Sequence, residues 1–158
     1  MIHIYLRPLV LSDALISYKW RNIPKIWELT GNKPNRYITS EIETNWLKNS
    51  LIKVNEKRFA ICIQSTNQYI GNIQLTNIEY SKAEFHIFIG EIEFWGQGIA
   101  YSATKMMLSL AFEKFEIREI HLEVSSLNIA ALKVYQKCGF VKTKERNDKI
   151  LMVFKYHK

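Results

Sequence analysis

The sequence predicts an α+β fold built on a mixed, mostly antiparallel sheet, and three observations carry that reading. Apolar residues switch between period-two runs and helical-period runs along the 158 residues. The order that results is strand, two helices, three strands, helix, strand, helix, two strands, which makes about seven strands. A glycine-rich turn at 96–98 hands a strand over to a long helix that leads to another strand, so the step 83–124 reads as a helix-linked parallel crossover.

Residues 2–9 alternate as a strand, and Ser12-Asp13 opens a helix carrying Leu15, Tyr18, Lys19 and Trp20. Pro24 and Pro34 lie within 23–36, which therefore reads as loop-rich with room for one short helical turn. Loops carry substrate contacts more often than scaffold elements do, so Trp27, Asn32, Arg36 and Tyr37 are acceptor-side candidates; packing is the plainer reading of Trp27. Thr39-Ser40-Glu41 opens a helix through Asn49 with Ile42, Trp46 and Leu47 on one face. Residues 59–64, 69–76 and 83–89 form an antiparallel meander turned at Asn67-Gln68 and Tyr80-Ser81-Lys82. Thr104, Met107, Leu108, Leu110, Ala111 and Phe115 mark an amphipathic helix over 102–114. A short strand follows at 119–124, then a helix over 128–137 ended by Gly139, and closing strands at 140–144 and 150–156.

At this length, with 47% hydrophobic residues, one globular domain spanning 1–158 is expected. The sequence has no apolar run near the roughly 20 residues of a membrane span, and Met1-Ile2-His3-Ile4 lacks the basic region of a signal peptide, so a cytoplasmic protein without a membrane partner is expected. Cys62 and Cys138 belong to no C-x-x-C and have no nearby pair of histidines, which predicts two buried free thiols and no metal. The formal charge of +7 favours anionic partners. Its lysines and arginines are scattered, however, and form no basic run with interleaved aromatics, so nucleic acid is not an expected partner.

The most informative segment is Phe94-Trp95-Gly96-Gln97-Gly98-Ile99-Ala100-Tyr101. A helix N-terminus has unpaired N–H groups and a partial positive charge, and glycines admit a phosphate to the backbone. The segment therefore reads as a main-chain cradle for a phosphate-bearing ligand.

Five stretches together resemble the GNAT N-acetyltransferase superfamily, and more narrowly its RimJ/RimL-like branch. They are Leu6-Arg7-Pro8-Leu9, Tyr69-Ile70-Gly71-Asn72-Ile73, Ala83-Glu84-Phe85, Trp95-Gly96-Gln97-Gly98-Ile99-Ala100, and Asn128 followed by Tyr135 and Gly139-Phe140. At the turn Gly98 and Ala100 match the family pattern, while Trp95 stands where Gln or Arg is usual. The resemblance implies a GNAT-like twisted sheet flanked by helices on both faces, with a V-shaped splay between the fourth and fifth strands. It implies acetyl-CoA as donor substrate, its pyrophosphate on Trp95, Gly96, Gln97, Gly98, Ile99, Ala100 and Tyr101, and its pantetheine arm along the backbone of Ile87, Phe88 and Ile89. A bulge near residues 86–88 is one way to make the splay.

By the same resemblance Tyr135 is the general acid that protonates the leaving sulfur, and Asn128 binds the pantetheine or fixes the loop, with simple helix capping as its plainer role. Glu84 is the leading base, acting directly or through water; His86, Glu123, His121 and Ser125 are weaker alternatives. The acceptor implied first is a small primary amine, foremost a nucleotide-linked amino sugar, because 18–26 resembles that group and the chain is basic. Protein N-terminal amines and polyamines are the alternatives, polyamines being disfavoured by the charge balance unless Glu28, Glu41 and Glu43 supply local acidity. A non-catalytic CoA-binding module is a reading of a different class. Leu151, Val153 and Phe154 are expected to be exposed, leaving room for a homodimer.

Overall fold

The computed structural model describes residues 1–157. Its strands are β1 (Ile4–Pro8), β2 (Lys57–Ile63), β3 (Tyr69–Glu79), β4 (Lys82–Ile89), β5 (Glu119–Ser125), β6 (Val141–Arg146) and β7 (Lys149–Lys155), in one sheet of order β1-β2-β3-β4-β5-β7-β6. Every pairing is antiparallel except β4 with β5. The helices are α1 (Ala14–Arg21), α2 (Pro24–Thr30), α3 (Ser40–Leu51), α4 (Ile99–Phe115) and α5 (Ile129–Cys138).

The helix ends follow local chemistry. Thr39 caps α3 by accepting from the Ile42 N–H at 3.1 Å, and Asn128 caps α5 by accepting from the Ala131 N–H at 3.2 Å. Residues 24–30, expected to be mostly loop, form α2. Pro24 occupies its first turn, where a missing N–H is harmless, and Gly31 closes it in the left-handed region at φ 74°. Helix α4 begins three residues earlier than its apolar pattern does, because Gly98, at φ 79°, is itself the N-cap. Both cysteines are free and buried, and among the described residues no helix is long and apolar enough to cross a membrane.

Apolar residues fill both sheet faces. Ile61, Ile73, Leu75, Phe85, Ile120, Leu122 and Met152 pack with Met107, Ala111 and Phe140 in a core under α4 and α5. Leu9, Ala14, Trp20, Leu47, Ala60, Cys62 and Tyr69 form a smaller core under α1 and α3. Phe154, expected to be exposed, belongs to the larger core: its ring lies 5.6 Å from Phe140 and 4.8 Å from Tyr156. Strand alternation puts Leu151 and Val153 on the opposite face, where both are half-buried.

Strands β4 and β5 pair only at Lys82↔Glu119, Ala83↔Ile120 and Glu84↔His121. Beyond that point β4 stays with β3 as far as Gly71↔Ile89, and β5 stays with β7 as far as Ser125↔Lys149. The two therefore part into the V that the resemblance implied. No bulge in β4 makes it: the β3–β4 register is unbroken from Gly71↔Ile89 to Thr76↔Glu84. The shift lies instead where Ile61↔Gly71 is followed by Cys62↔Tyr69, leaving Ile70 as the extra residue of β3. That bulge presents the Ile70 carbonyl to the N–H groups of Gly90 and Glu91, at 2.7 and 3.2 Å, and so directs the exit of β4.

Gly71 permits this arrangement, since a Cβ there would stand 2.5 Å from the Phe88 carbonyl oxygen and 3.1 Å from the Ile89 Cα. Backbone atoms of a paired strand cannot swing aside as a side chain can. Gly71→Ala is expected to lower stability by about 1–3 kcal/mol, read as a reduced midpoint in denaturant unfolding; an unchanged midpoint would show that β4 is not so tightly held.

Candidate active site at the strand fork

The glycine turn lies at the open end of the fork. Gly96 and Gly98 have φ of 75° and 79°, a conformation that disfavours any residue with a Cβ, yet a Cβ at either would meet nothing within 4 Å. The glycines are thus demanded by backbone conformation, and the space above them is open. The first N–H groups of the 17-residue α4 follow at once, so a phosphate group fits here. Two cations flank the turn, Lys25 5.9 Å from the Trp95 ring centroid and Lys137 4.5 Å from that of Tyr101.

Trp95 does more than fill space. Its indole N–H donates to the Ile89 carbonyl at 2.9 Å, tying the turn to the end of β4, and its ring touches both cores. Trp20 supports the same strand end from beneath. Its ring lies so close to Gly90 that any Cβ there would overlap it, and its indole N–H donates to Glu91 Oε1 at 3.0 Å. Because Gly90 gives its N–H to β3, alternation turns the backbone groups of Ile89 and Ile87 toward the fork. Phe88, between them, turns its carbonyl to Gly71 and sets its ring edge-on to Trp20 at 5.8 Å. Of the three residues expected along the pantetheine arm, Ile87 and Ile89 therefore face the fork with their main chain.

One side of the fork's vertex is dry. Tyr135 projects from α5 and packs edge-on against Phe85, ring centroids 6.0 Å apart, and against Phe140 at 5.8 Å. Phe85 is the first residue of β4 beyond the last pair with β5. Burial, with the neighbouring Cys138 adding to it, pushes the Tyr135 phenol up to about 12. The hydroxyl therefore keeps its proton at neutral pH, as a proton donor must.

The opposite side is wet. Glu84 is exposed and accepts from the Asn77 side-chain amide at 2.9 Å. Asn77 has φ 49° and lies where the β3 register breaks between Thr76 and Glu79, which aims its amide across to β4. By alternation Glu84 lies on the sheet face away from Phe85 and Tyr135, so the expected acid and base flank the vertex from opposite sides. His86 shares the Glu84 face, with Nε2 3.2 Å from Thr76 Oγ1. Desolvation lowers its pKa, while the Glu84 carboxylate acts against that shift.

Across the vertex from Glu84 stands His121, whose Nε2 is 2.5 Å from Glu119 Oε2. Lys82 and Lys155 approach the same carboxylate at 3.5 and 3.7 Å. The hydrogen bond from His121, followed by the Lys82 charge, outweighs desolvation and holds Glu119 below the usual carboxylate range. Sequence reading missed the Glu119 partnership and the Asn77 contact. The i,i+2 spacing of Glu119 and His121 on a strand was the available signal for the first; nothing local signalled the second.

Other candidates have structural duties. Asn128 caps α5. Glu43 is buried, accepting from Arg21 Nη1 at 2.6 Å and from the Ser17 hydroxyl at 3.0 Å. Asn32, Arg36 and Tyr37 are exposed between α2 and α3, and Trp27 is half-buried with Lys33 5.4 Å from its ring centroid.

The chain is 32% identical over 101 residues to spermidine N(1)-acetyltransferase of Vibrio cholerae, covering 63% of this chain and 58% of that protein. It is 30% identical over 87 residues to the Escherichia coli K12 protein of the same name, covering 54% and 45%. The uncharacterized protein MJ1062 of Methanocaldococcus jannaschii is 22% identical over 144 residues, covering 90% of this chain and 29% of that one. The chain thus spans less than two thirds of the length of these relatives. Solved structures share its fold. The crystal structure of Vibrio cholerae spermidine N-acetyltransferase in complex with CoA and spermine superposes with TM-score 0.86 at 24% identity, covering 96% of this chain and 95% of that one. A domain from Methanocaldococcus jannaschii DSM 2661 does so with TM-score 0.82 at 20% identity, covering 99% and 100%. The acetyltransferase (GNAT) domain family model matches residues 3–141, which with the forked sheet and its glycine turn places the chain in that family.

Proposed function

We propose that this chain is an acetyl-CoA-dependent N-acetyltransferase that moves the acetyl group directly to a primary amine of a small molecule. One observation carries the reading: β4 and β5 part immediately after Glu84↔His121, with Tyr135 packed at that point from one side and Glu84 exposed on the other. The turn at 96–101 holds the pyrophosphate, and the main chain of Ile87 lines the route of the pantetheine arm to the vertex. The amine approaches from the wet face, where Glu84 takes its proton. Its nitrogen attacks the thioester carbonyl, the C–N bond forms, the C–S bond breaks, and Tyr135 gives its proton to the departing sulfur. A dry side for the acid and a wet side for the base suit those two tasks.

For the acceptor, the spermidine acetyltransferase relatives support a polyamine. The nucleotide-linked amino sugar rested on 18–26, and three residues there serve the scaffold. Trp20 underlies Gly90, Arg21 pairs with Glu43, and Asn22 exchanges two hydrogen bonds of 2.8 Å with the Ile38 backbone. The carboxylates exposed to a polycation on the wet face are Glu84 and Glu123, which stand beside the exposed Lys82 and Lys155, while Glu43 is taken by Arg21. The RimJ/RimL-like branch, and a protein N-terminus as acceptor, draw no support from the relatives named above.

Tyr135→Phe is expected to bind acetyl-CoA within about twofold of wild type while turnover falls about 10²–10⁴-fold. Calorimetric binding beside a thiol-release assay reads both; unchanged turnover would remove Tyr135 as the acid. With its phenol pushed up to about 12, Tyr135 stays protonated past the ordinary tyrosine value of about 10. The wild-type rate should therefore show no alkaline loss on that account up to about pH 10. Glu84→Gln should slow transfer most near neutrality and recover as the free amine becomes abundant; a parallel shift at every pH would assign Glu84 to binding alone. A panel of spermidine, spermine, amino-sugar nucleotides, aminoglycosides and peptide N-termini tests the acceptor, and acetyl-CoA binding without turnover on any of them would favour a non-catalytic module.

A further inference from the structure

A row of polar side chains crosses the wet face at the level of the vertex: Asn77 on β3, Glu84 on β4, and His121 with Glu119 on β5. Lys82 and Lys155 close it from the flanking strands. Acetyl transfer to an ammonium has one proton to dispose of. Of the three N–H protons that enter, one stays on the amide and one ends on the CoA sulfur, the second by way of reprotonating Tyr135. The third must leave the protein. A carboxylate, with an ordinary pKa of about 4.3, holds an amine's proton only briefly near neutrality, whereas an imidazole titrates at about 6.5.

We infer that this row is a proton exit, in which the proton taken from the amine by Glu84 passes to His121, held for that purpose by Glu119, and then to solvent. The inference rests on the acetyl-transfer reading above. Its geometry is that of the paired end of the fork. Glu84 and His121 are register partners of a parallel pair, so their side chains leave the same face from backbones about 4.8 Å apart. Asn77 steadies Glu84 from the β3 side, and Glu119 engages the imidazole Nε2. The His121 side chain is 44% exposed and that of Glu119 18%, so the imidazole has access to water while its carboxylate partner is sheltered. The charged groups around His121 are Glu84 and Lys82 from β4, Glu119 and Glu123 from its own strand, and Lys155 from β7; its direct partner on β7 is the uncharged Val153. His121 acts through Glu84 and Glu119 through His121, which makes both positioning residues. A plain surface ion-pair cluster bracing these three strands would share the distances but would leave the pH profile of transfer untouched.

The test uses the full chain, acetyl-CoA, and whichever amine of the panel the wild type acetylates. In His121→Gln, kcat/KM should fall about 10–100-fold near neutral pH, within the range for assisted proton transfer, and recover as pH rises, with acetyl-CoA affinity and thermal midpoint unchanged. Imidazole added to His121→Ala should restore part of the rate. Glu119→Gln should give a smaller loss, because the imidazole has lost the partner that holds it. A second readout needs no turnover. The NMR ring signal of His121, identified by its disappearance in His121→Gln, should shift when acetyl-CoA binds and again in Glu119→Gln. A wild-type pH profile in His121→Gln, or a ring signal indifferent to both acetyl-CoA and Glu119→Gln, would overturn the exit. Should the wild type acetylate no amine while the ring still responds to acetyl-CoA, the acetyl-transfer reading is what fails, and the exit falls with it.

Discussion

The structure turns on the divided allegiance of two strands. β4 and β5 share three residue pairs and then separate, because β4 remains bonded to β3 and β5 to β7. Neither is free to close the gap. β4 is pressed onto β3 where Gly71 meets Phe88, is underlain by Trp20 at Gly90, and is tied to the following turn by Trp95 at Ile89. A parted pair inside a sheet leaves main-chain donors and acceptors unmatched, and such groups must find water or a ligand. The fork is thus open to a ligand because of how the sheet is paired, before any side chain in it is considered.

The surroundings of the vertex then differ between the two faces of the sheet. On the α4–α5 side the larger core buries Tyr135 among Phe85 and Phe140, and that burial keeps its phenol protonated. On the other side no apolar layer covers Glu84, and the residues around it are polar: Asn77, Thr76, His86 and His121. On this face the exposed carboxylates Glu84 and Glu123 stand beside the exposed cations Lys82 and Lys155. Lysines sit where phosphates are expected, beside Trp95 and Tyr101.

Much of this was legible in sequence, for identifiable reasons. The glycine turn was legible because positive φ at 96 and 98 demands glycine, and the seven strands and the crossover were legible from period and order. Helix α2 was not, because two prolines outweighed the fact that Pro24 falls where a helix accepts it. The bulge was placed in β4, where the splay is, although it lies in β3, where it shapes the exit of β4 through the Ile70 carbonyl. Phe154 was read as exposed because period-two alternation leaves open which face carries a second core. Glu84 and Tyr135 were each singled out by resemblance as candidates, but their placement on opposite sides of one vertex depends on the β4–β5 register. Asn77, His121 and Glu119 join Glu84 through that same register and a left-handed residue at the end of β3, which no single segment records.

The central claim is that acetyl-CoA fills the gap between β4 and β5 by pairing with main-chain groups that the sheet leaves unmatched. Amide hydrogen exchange resolved to single residues, with and without acetyl-CoA, addresses it directly. The account predicts that the Ile87 amide, turned to the fork, slows strongly on binding while Ala83, already paired with Ile120, does not change. Equal protection of Ile87 in the two states, with acetyl-CoA shown to be bound, would contradict it.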